Sequence, residues 1–407
     1  MRLLFVIFCL ISTGLKLGKI YLNRKQHQMD LPDYLKTLYD EKEYKRWIEY
    51  EDETDRFSLF THLLSLAISL CFILSPIYQW LYDMFPKNVL LNSLCMMMFV
   101  VLFEEIIGMI EDSYRTFVIE EKYHMNTTTL KTFIIDKVKD IVLDIGIFAV
   151  LFVCVHYFYL WFSYVGFIVL FVVLIVIVRL IQKHSLAILK IYNQFTPLED
   201  GVLKDKLIAL VEQQGFELKG LYVMDASKRT KRANAFCTGE GKQKTISIDD
   251  NMFTQYSEEE ILAVFCHELG HAALNHSDKL KWQAYLQMIV MFILFVFILV
   301  NPQLYECFGI YEMNYYMVTL ILSIFMGPLM FVIQIPMNIY SRNCEYEADA
   351  FAVKQGYGQA LHSVLYKLTK DDLADINPHP LVVKTTYSHP PIALRLQAID
   401  EEMNKIC

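Results

Sequence analysis

Apolar runs of membrane-crossing length alternate with charged segments along most of this chain. Leu3 to Ile11 is apolar behind Arg2 and extends through Ile20 and Leu22. Phe57 to Trp80, Val89 to Ile110, Ile141 to Trp161 and Val165 to Val178 with its flanks follow, then Tyr285 to Val300 and Met317 to Tyr340. A bilayer core takes about 20 apolar residues of helix, so the pattern predicts seven spans. The fourth and fifth form a tight hairpin around Phe162 to Gly166, and the last two form another. The first run has two readings, a retained span or a signal peptide ending at Ser12-Thr13-Gly14. The alternation of the other six is the same in both. Asn23 to Arg56 is charged but carries Trp47 and several tyrosines, and is expected near the membrane interface.

Between the fifth and sixth spans the period changes. Leu203 to Gln214 reads as an amphipathic helix, Gly220 to Met224 and Lys244 to Ile248 as strands, and Asn234-Ala235-Phe236 as a third strand between them. Ser257-Glu258-Glu259-Glu260 has the form of a capping box opening a further helix over the apolar-periodic run Ile261 to Leu274. An edge strand of such a small sheet can hold an extended peptide through its backbone.

Composition agrees with a membrane protein: of 407 residues, 55% are hydrophobic and 14% aromatic, and the mean hydropathy is +0.33. The net charge of -8 comes with no basic stripe, which excludes nucleic acid as an expected partner. The nine cysteines fall singly without a CxxC, so they read as packing residues, and Cys407 has no following residues to complete a prenylation signal. With seven spans, segments 23–56, 111–140, 183–284 and 341–407 share one side and hold most of the lysines and arginines. The opposite short loops hold only Lys87. The basic side is therefore expected to be cytosolic. The expected architecture is mainly α, a polytopic membrane protein with a small cytosolic α+β unit. Its divisions are 1–182 with five spans, 183–284 as the α+β unit, 285–340 as a two-span hairpin and 341–407 as a C-terminal segment. His62, Glu104, Glu105, Asp144 and His156 lie within or beside spans, where ionisable groups either face a cavity or mark a span end.

The candidate chemistry centres on His267-Glu268-Leu269-Gly270-His271. Two histidines four apart on a helix share a face and can reach one metal ion, with the intervening glutamate placed toward a water on that ion. The apolar setting of Ala263, Val264, Leu269, Ala272 and Ala273 calls for burial, and two buried imidazoles beside a carboxylate are accounted for by zinc. A third ligand is expected in Ser341 to Ala352. Glu345 and Asp349, four apart, can bind the metal and hydrogen-bond a liganding imidazole respectively. Glu347 competes with Glu345 but points roughly 160° away from it on a helix. His389, in Tyr387-Ser388-His389-Pro390-Pro391, either donates to a developing oxyanion or is a structural turn residue.

Together these residues resemble the integral-membrane zinc metallopeptidases that act as CAAX prenyl protease, type I. The likeness runs through Thr116 to Lys122, Phe195 to Leu198, Tyr222-Val223, Ser227 to Arg229, Asn234-Ala235, His267 to His271, Ser341-Arg342 with Glu345 to Ala352, and Tyr387 to Pro391. The resemblance implies seven transmembrane helices around an intramembrane chamber and one zinc ion at its cytosolic end. It implies His267, His271 and Glu345 as ligands, Glu268 as general base, Asp349 behind a ligand, His389 as transition-state donor and Asn234-Ala235 on the substrate-binding edge. The activity it implies is removal of the C-terminal tripeptide from prenylated CaaX proteins at the endoplasmic reticulum membrane, among membrane lipids. Two other readings stand beside it: a quality-control protease for unprenylated or translocation-stalled proteins, and a polytopic transporter or lipid-binding protein with structural zinc. The link Asp249 to Glu260 is short where animal and fungal relatives often carry a long charged insertion.

Overall fold

The computed structural model describes residues 1–407 except 30, 32–34, 37, 240 and 407, with the backbone alone for 277 and 278. Cys407 therefore lies outside the described residues. The membrane half comprises α1 (Arg2–His27), α2 (Glu41–Leu74), a short α3 (Ile77–Met84), α4 (Val89–Tyr114), α5 (Leu130–Phe162) and α6 (Val165–Lys183). After α6 come α7 (Ser185–Tyr192), β1 (Phe195–Pro197), α8 (Val202–Gln213), β2 (Glu217–Met224), β3 (Ala235–Thr238) and β4 (Gln243–Asp249). The chain continues through α9 (Asp250–Gln255), α10 (Glu258–Ala273), α11 (His276–Leu299), α12 (Gln303–Glu306) and α13 (Tyr315–Lys354). It closes with α14 (Gly358–Asp371), α15 (Pro380–Thr386) and α16 (Ile392–Ile406).

Seven of these helices are long and apolar enough to cross a membrane, as the sequence pattern requires. Their boundaries differ from the hydropathy runs in instructive ways. The second span stops at Leu74, because Pro76 cannot continue the hydrogen-bond ladder, and Ile77–Met84 restarts as a separate helix. The seventh span and the predicted third-ligand segment are one 40-residue helix that carries Pro328 and Pro336 in its interior. Trp47, in the segment expected near the membrane interface, is wholly buried. It packs in a core that also takes Ile119 and Tyr123, Leu207 to Leu269, and Ala352 to Ile399. All four basic segments contribute to this one core, so they lie on one side. The eight described cysteines are all unpaired thiols.

A second core lies at the opposite end, where Phe5 stacks on Phe308 at 5.4 Å and Arg2 Nε donates to the Cys307 carbonyl at 2.8 Å. Asn314 Nδ2 donates to Asn92 Oδ1 at 2.9 Å there, satisfying buried amides that hydrocarbon would leave unpaired. This second core also borders an apolar cavity of about 600 Å³ lined from α4, α5, α6, α11 and α13, with Phe148, Phe171, Phe292 and Met326 on its walls. Of the five polar residues singled out from the sequence, Glu104 lines it. His156 is taken up by a 2.9 Å hydrogen bond with the Tyr315 hydroxyl.

The sheet has the order β1-β2-β4-β3, with β2 and β4 parallel and both outer strands antiparallel. The sequence pattern found β2, β3 and β4 but not β1, which is three residues long and includes Pro197, a residue confined to sheet edges.

Candidate metal and catalytic site

The site begins with α10. Ser257 Oγ accepts from Glu260 N, and the Glu260 carboxylate accepts from Ser257 N at 2.9 Å, the reciprocal box expected from the sequence. Glu260 is almost wholly buried and also receives Lys367 Nζ at 2.7 Å and Ser363 Oγ at 2.6 Å from α14. Burial pushes this carboxyl up, but the Lys367, Ser363 and Ser257 donors outweigh it and bring it down to about 2. Depression below the unfolded value of 4.5 stabilises the fold fully above that pH, and the stabilisation is lost as pH falls toward the folded value. Glu260→Gln is expected to cost on the order of 1–3 kcal/mol near neutral pH, from the weakened cap and lost charged hydrogen bonds. Thermal unfolding in detergent should show the gap to wild type narrowing between pH 4.5 and 2; a gap constant over that window would mean the ion pair is not its source.

Helix α10 lies tightly against α13. A side chain at Gly270 would place its Cβ 3.1–3.2 Å from Phe351, so glycine permits this approach. The crossing brings three groups together. His267 Nε2 and His271 Nε2 are 3.2 Å apart, and Glu345 places its two oxygens 3.5 Å and 3.4 Å from them. Among the described residues this trio forms the group able to hold a metal ion, its donor atoms all within 4.8 Å of one another. Glu347, the competing candidate, is not in it.

The proton arrangement tests whether a cation fits. His267 Nδ1 is 2.9 Å from Asp349 Oδ1, and since a carboxylate can only accept, Nδ1 carries the hydrogen. That leaves Nε2 as a lone pair, facing a second imidazole nitrogen and a carboxylate. Burial lowers the tendency of His267 to protonate, yet Asp349 and Glu345 outweigh it and push this imidazole up to about 9 on the protein groups alone. A site so rich in electron pairs suits a divalent cation with nitrogen and oxygen ligands, which would displace that proton.

Arg395, on α16, is a participant that the sequence reading missed. It is buried, and its Nε and Nη2 donate to the two oxygens of Asp349 at 2.8 and 2.7 Å, while Nη1 lies 3.3 Å from Glu345. A signal was available: Arg395 falls on the stripe of Ile392, Leu396 and Ile399, where an unpaired charge has no place. Arg342, one turn before Glu345, donates through Nη1 to the Val383 carbonyl at 2.9 Å and to that of Tyr387. It thereby ties the turn carrying His389 to the ligand helix. His389 Nε2 stands 3.6 Å from Glu345 with its side chain 62% exposed.

A polar cavity of about 240 Å³ opens on this group. Glu268, His271, Glu345 and His389 line it, together with Cys237, Thr238, Gly239 and Lys244. The structure thus collects Glu268 and His389 on the cavity that His271 and Glu345 of the trio also line. Asn234 and Ala235 are not among the lining residues. Ala235 is buried and paired with Ile248, and the Asn234 side chain is occupied with the Ala235 amide at 2.9 Å. The edge strand meets the cavity further along, at Cys237 and Thr238.

Comparison with known proteins adds independent findings. The sequence model of peptidase family M48 matches residues 197–403, and that of the CAAX prenyl protease N-terminal region, five membrane helices, matches residues 20–183. The chain is 32% identical to the probable CAAX prenyl protease 1 of Schizosaccharomyces pombe, over 96% of this chain and 88% of that one. It is 30% identical to CAAX prenyl protease 1 of Saccharomyces cerevisiae, over 96% and 95%. The crystal structure of S. mikatae Ste24p superposes with a TM-score of 0.92 at 28% identity, covering 98% of this chain and 99% of that one.

Proposed function

The chain belongs to peptidase family M48, with the membrane region of the CAAX prenyl proteases, and from that premise we propose that it removes the C-terminal tripeptide from prenylated CaaX proteins. The metal of the reading is one zinc ion held by His267, His271 and Glu345, and the membrane is that of the endoplasmic reticulum with the basic segments cytosolic. The observation that carries the proposal is the convergence of this trio, with His271 and Glu345 meeting Glu268 and a sheet edge on one cavity, in a protein whose membrane half holds an apolar cavity. The relatives' names support the substrate class.

Zinc, when bound, supplies Lewis-acid polarisation of the scissile carbonyl and acidifies water. The chain's own residues do the rest. Strand β3 is the sheet edge at the cavity, so an extended substrate can be held there by backbone hydrogen bonds, with Cys237 and Thr238 in the cavity lining. Glu268 takes the proton of the attacking water on its carboxylate and returns it to the leaving amine nitrogen. His389, exposed and tethered through Arg342, donates an N–H to the developing oxyanion. Asp349 holds His267 in the tautomer that leaves Nε2 unprotonated. The substrate's prenyl chain is apolar and has matching surroundings in the membrane half.

The test uses the full chain in detergent with matched peptides, one farnesylated at the CaaX cysteine and one bare. Release of the terminal tripeptide from the farnesylated peptide, abolished by a zinc chelator and restored by zinc, is the expected outcome. Equal cleavage of both peptides would replace the lipid-specific reading with a general quality-control protease. Stoichiometric zinc with cleavage of neither would leave a binding or transport protein.

A further inference from the structure

His267 has its orienting acceptor in Asp349, but among the described residues no carboxylate lies at hydrogen-bond distance from the outer nitrogen of His271. What it has is another histidine. His276 is the first residue of α11, set off from α10 by Asn275, whose φ of 57° turns the chain between the two helices, and it lines the cavity. His276 is 1% exposed, and its Nδ1 lies 3.0 Å from His271 Nδ1. Its other nitrogen, Nε2, lies 3.0 Å from Glu347 Oε2.

With both rings neutral and a cation at the trio, the hydrogens of this relay have one consistent arrangement. Glu347 only accepts, so His276 Nε2 carries a hydrogen and donates it. A neutral His276 then presents a lone pair at Nδ1, which accepts the hydrogen on His271 Nδ1. His271 is left with its lone pair at Nε2, on the side facing His267 and Glu345. We propose that His276, anchored by Glu347, is the positioning residue that fixes the tautomer and ring orientation of His271. The proposal rests on the reading of His271 as a metal ligand. It gives the alternate acidic residues of α13 separate tasks: Glu345 faces the trio, Asp349 serves His267 directly, and Glu347 serves His271 through His276. It also explains why Glu347, which points away from Glu345, sits beside the site without joining it.

The experiment measures zinc affinity of the purified full chain by competition with a chromogenic chelator, so the readout does not depend on catalysis. His276→Leu fills the space but offers no acceptor, and should weaken zinc binding by about 10- to 100-fold, the range seen when partners behind a liganding histidine are removed. His276→Asn places an amide oxygen near the position of Nδ1 and should recover most of the affinity. Glu347→Ala, at a side chain 58% exposed, should weaken binding less without unfolding the protein, and should add nothing to His276→Leu because the relay runs through His276. His271→Ala serves as the reference. If it holds zinc like wild type, the ligand reading fails and takes the proposal with it. If it loses zinc while His276→Leu and Glu347→Ala bind as wild type, the relay alone is overturned. Equal losses in His276→Leu and His276→Asn, with Glu347→Ala unchanged, would also overturn it, showing that the site needs an imidazole for packing. Should His276→Leu fail to fold, Glu347→Ala decides: unchanged affinity rejects the relay and weakened affinity supports it.

Discussion

Glu268→Gln is expected to abolish proteolysis while leaving the protein folded and the proposed zinc in place. The substitution keeps side-chain volume and one carbonyl oxygen, and removes only the ability to take up a proton. Glu268 lines the cavity but is not one of the three groups that converge, so the donor set survives the change. General base catalysis contributes about 10²- to 10⁴-fold, and the same group is asked to return the proton to the leaving nitrogen. A loss in kcat at or above the upper end of that range is therefore expected, with little change in KM. Purified variant and wild type would be compared for tripeptide release and for bound zinc by elemental analysis. Activity within tenfold of wild type at full zinc occupancy would remove Glu268 from the chemistry. Loss of zinc together with activity would instead make it part of the ligand set.

Much of this arrangement is legible along the chain because it depends on local spacing. The seven membrane helices follow from apolar runs whose length the bilayer dictates. Helix α10 follows from Ser257 and Glu260 at capping distance and from the apolar period behind them. His267 with His271, and Glu345 with Asp349, are pairs four apart, and a helix alone puts each pair on one face. What was not legible depends on contacts across the fold. Nothing near Arg395 in sequence shows that Asp349, 46 residues earlier, awaits it. Nothing near His276 points to Glu347. That Cys237 and Thr238 line the cavity depends on the pairing of β3 with β4, a register that a short strand does not announce. The burial of Trp47 is hidden for a related reason: the core that covers it is assembled from segments distant in sequence.

Removing Arg395 is expected to be the most damaging single change to the fold around the site. Its guanidinium is buried, forks onto both oxygens of Asp349 and also approaches Glu345. A buried ion pair adds little over apolar packing when formed, because desolvation offsets the attraction, but breaking one strands the partner's charge. Arg395→Leu would leave the buried carboxylates of Asp349 and Glu345 without their guanidinium partner, and should cost about 3–5 kcal/mol. It should also weaken zinc binding, since Asp349 would lose the contact that holds it in position behind His267. Lysine is not an adequate replacement, as an ammonium cannot form the planar two-point contact, so Arg395→Lys should recover only part of the loss. The discriminating comparison is the double variant Arg395→Leu with Asp349→Leu. Removing both charges together should destabilise by less than the sum of the single changes, because each single change strands a charge that the double does not. Strict additivity in thermal unfolding would show that the two residues contribute independently and that the contact is not what organises the site. Non-additive stability with zinc affinity still lost would separate the roles: the Arg395–Asp349 pair would matter to the fold through its balance of charge, and to the metal through the one hydrogen bond Asp349 gives His267 its orientation by.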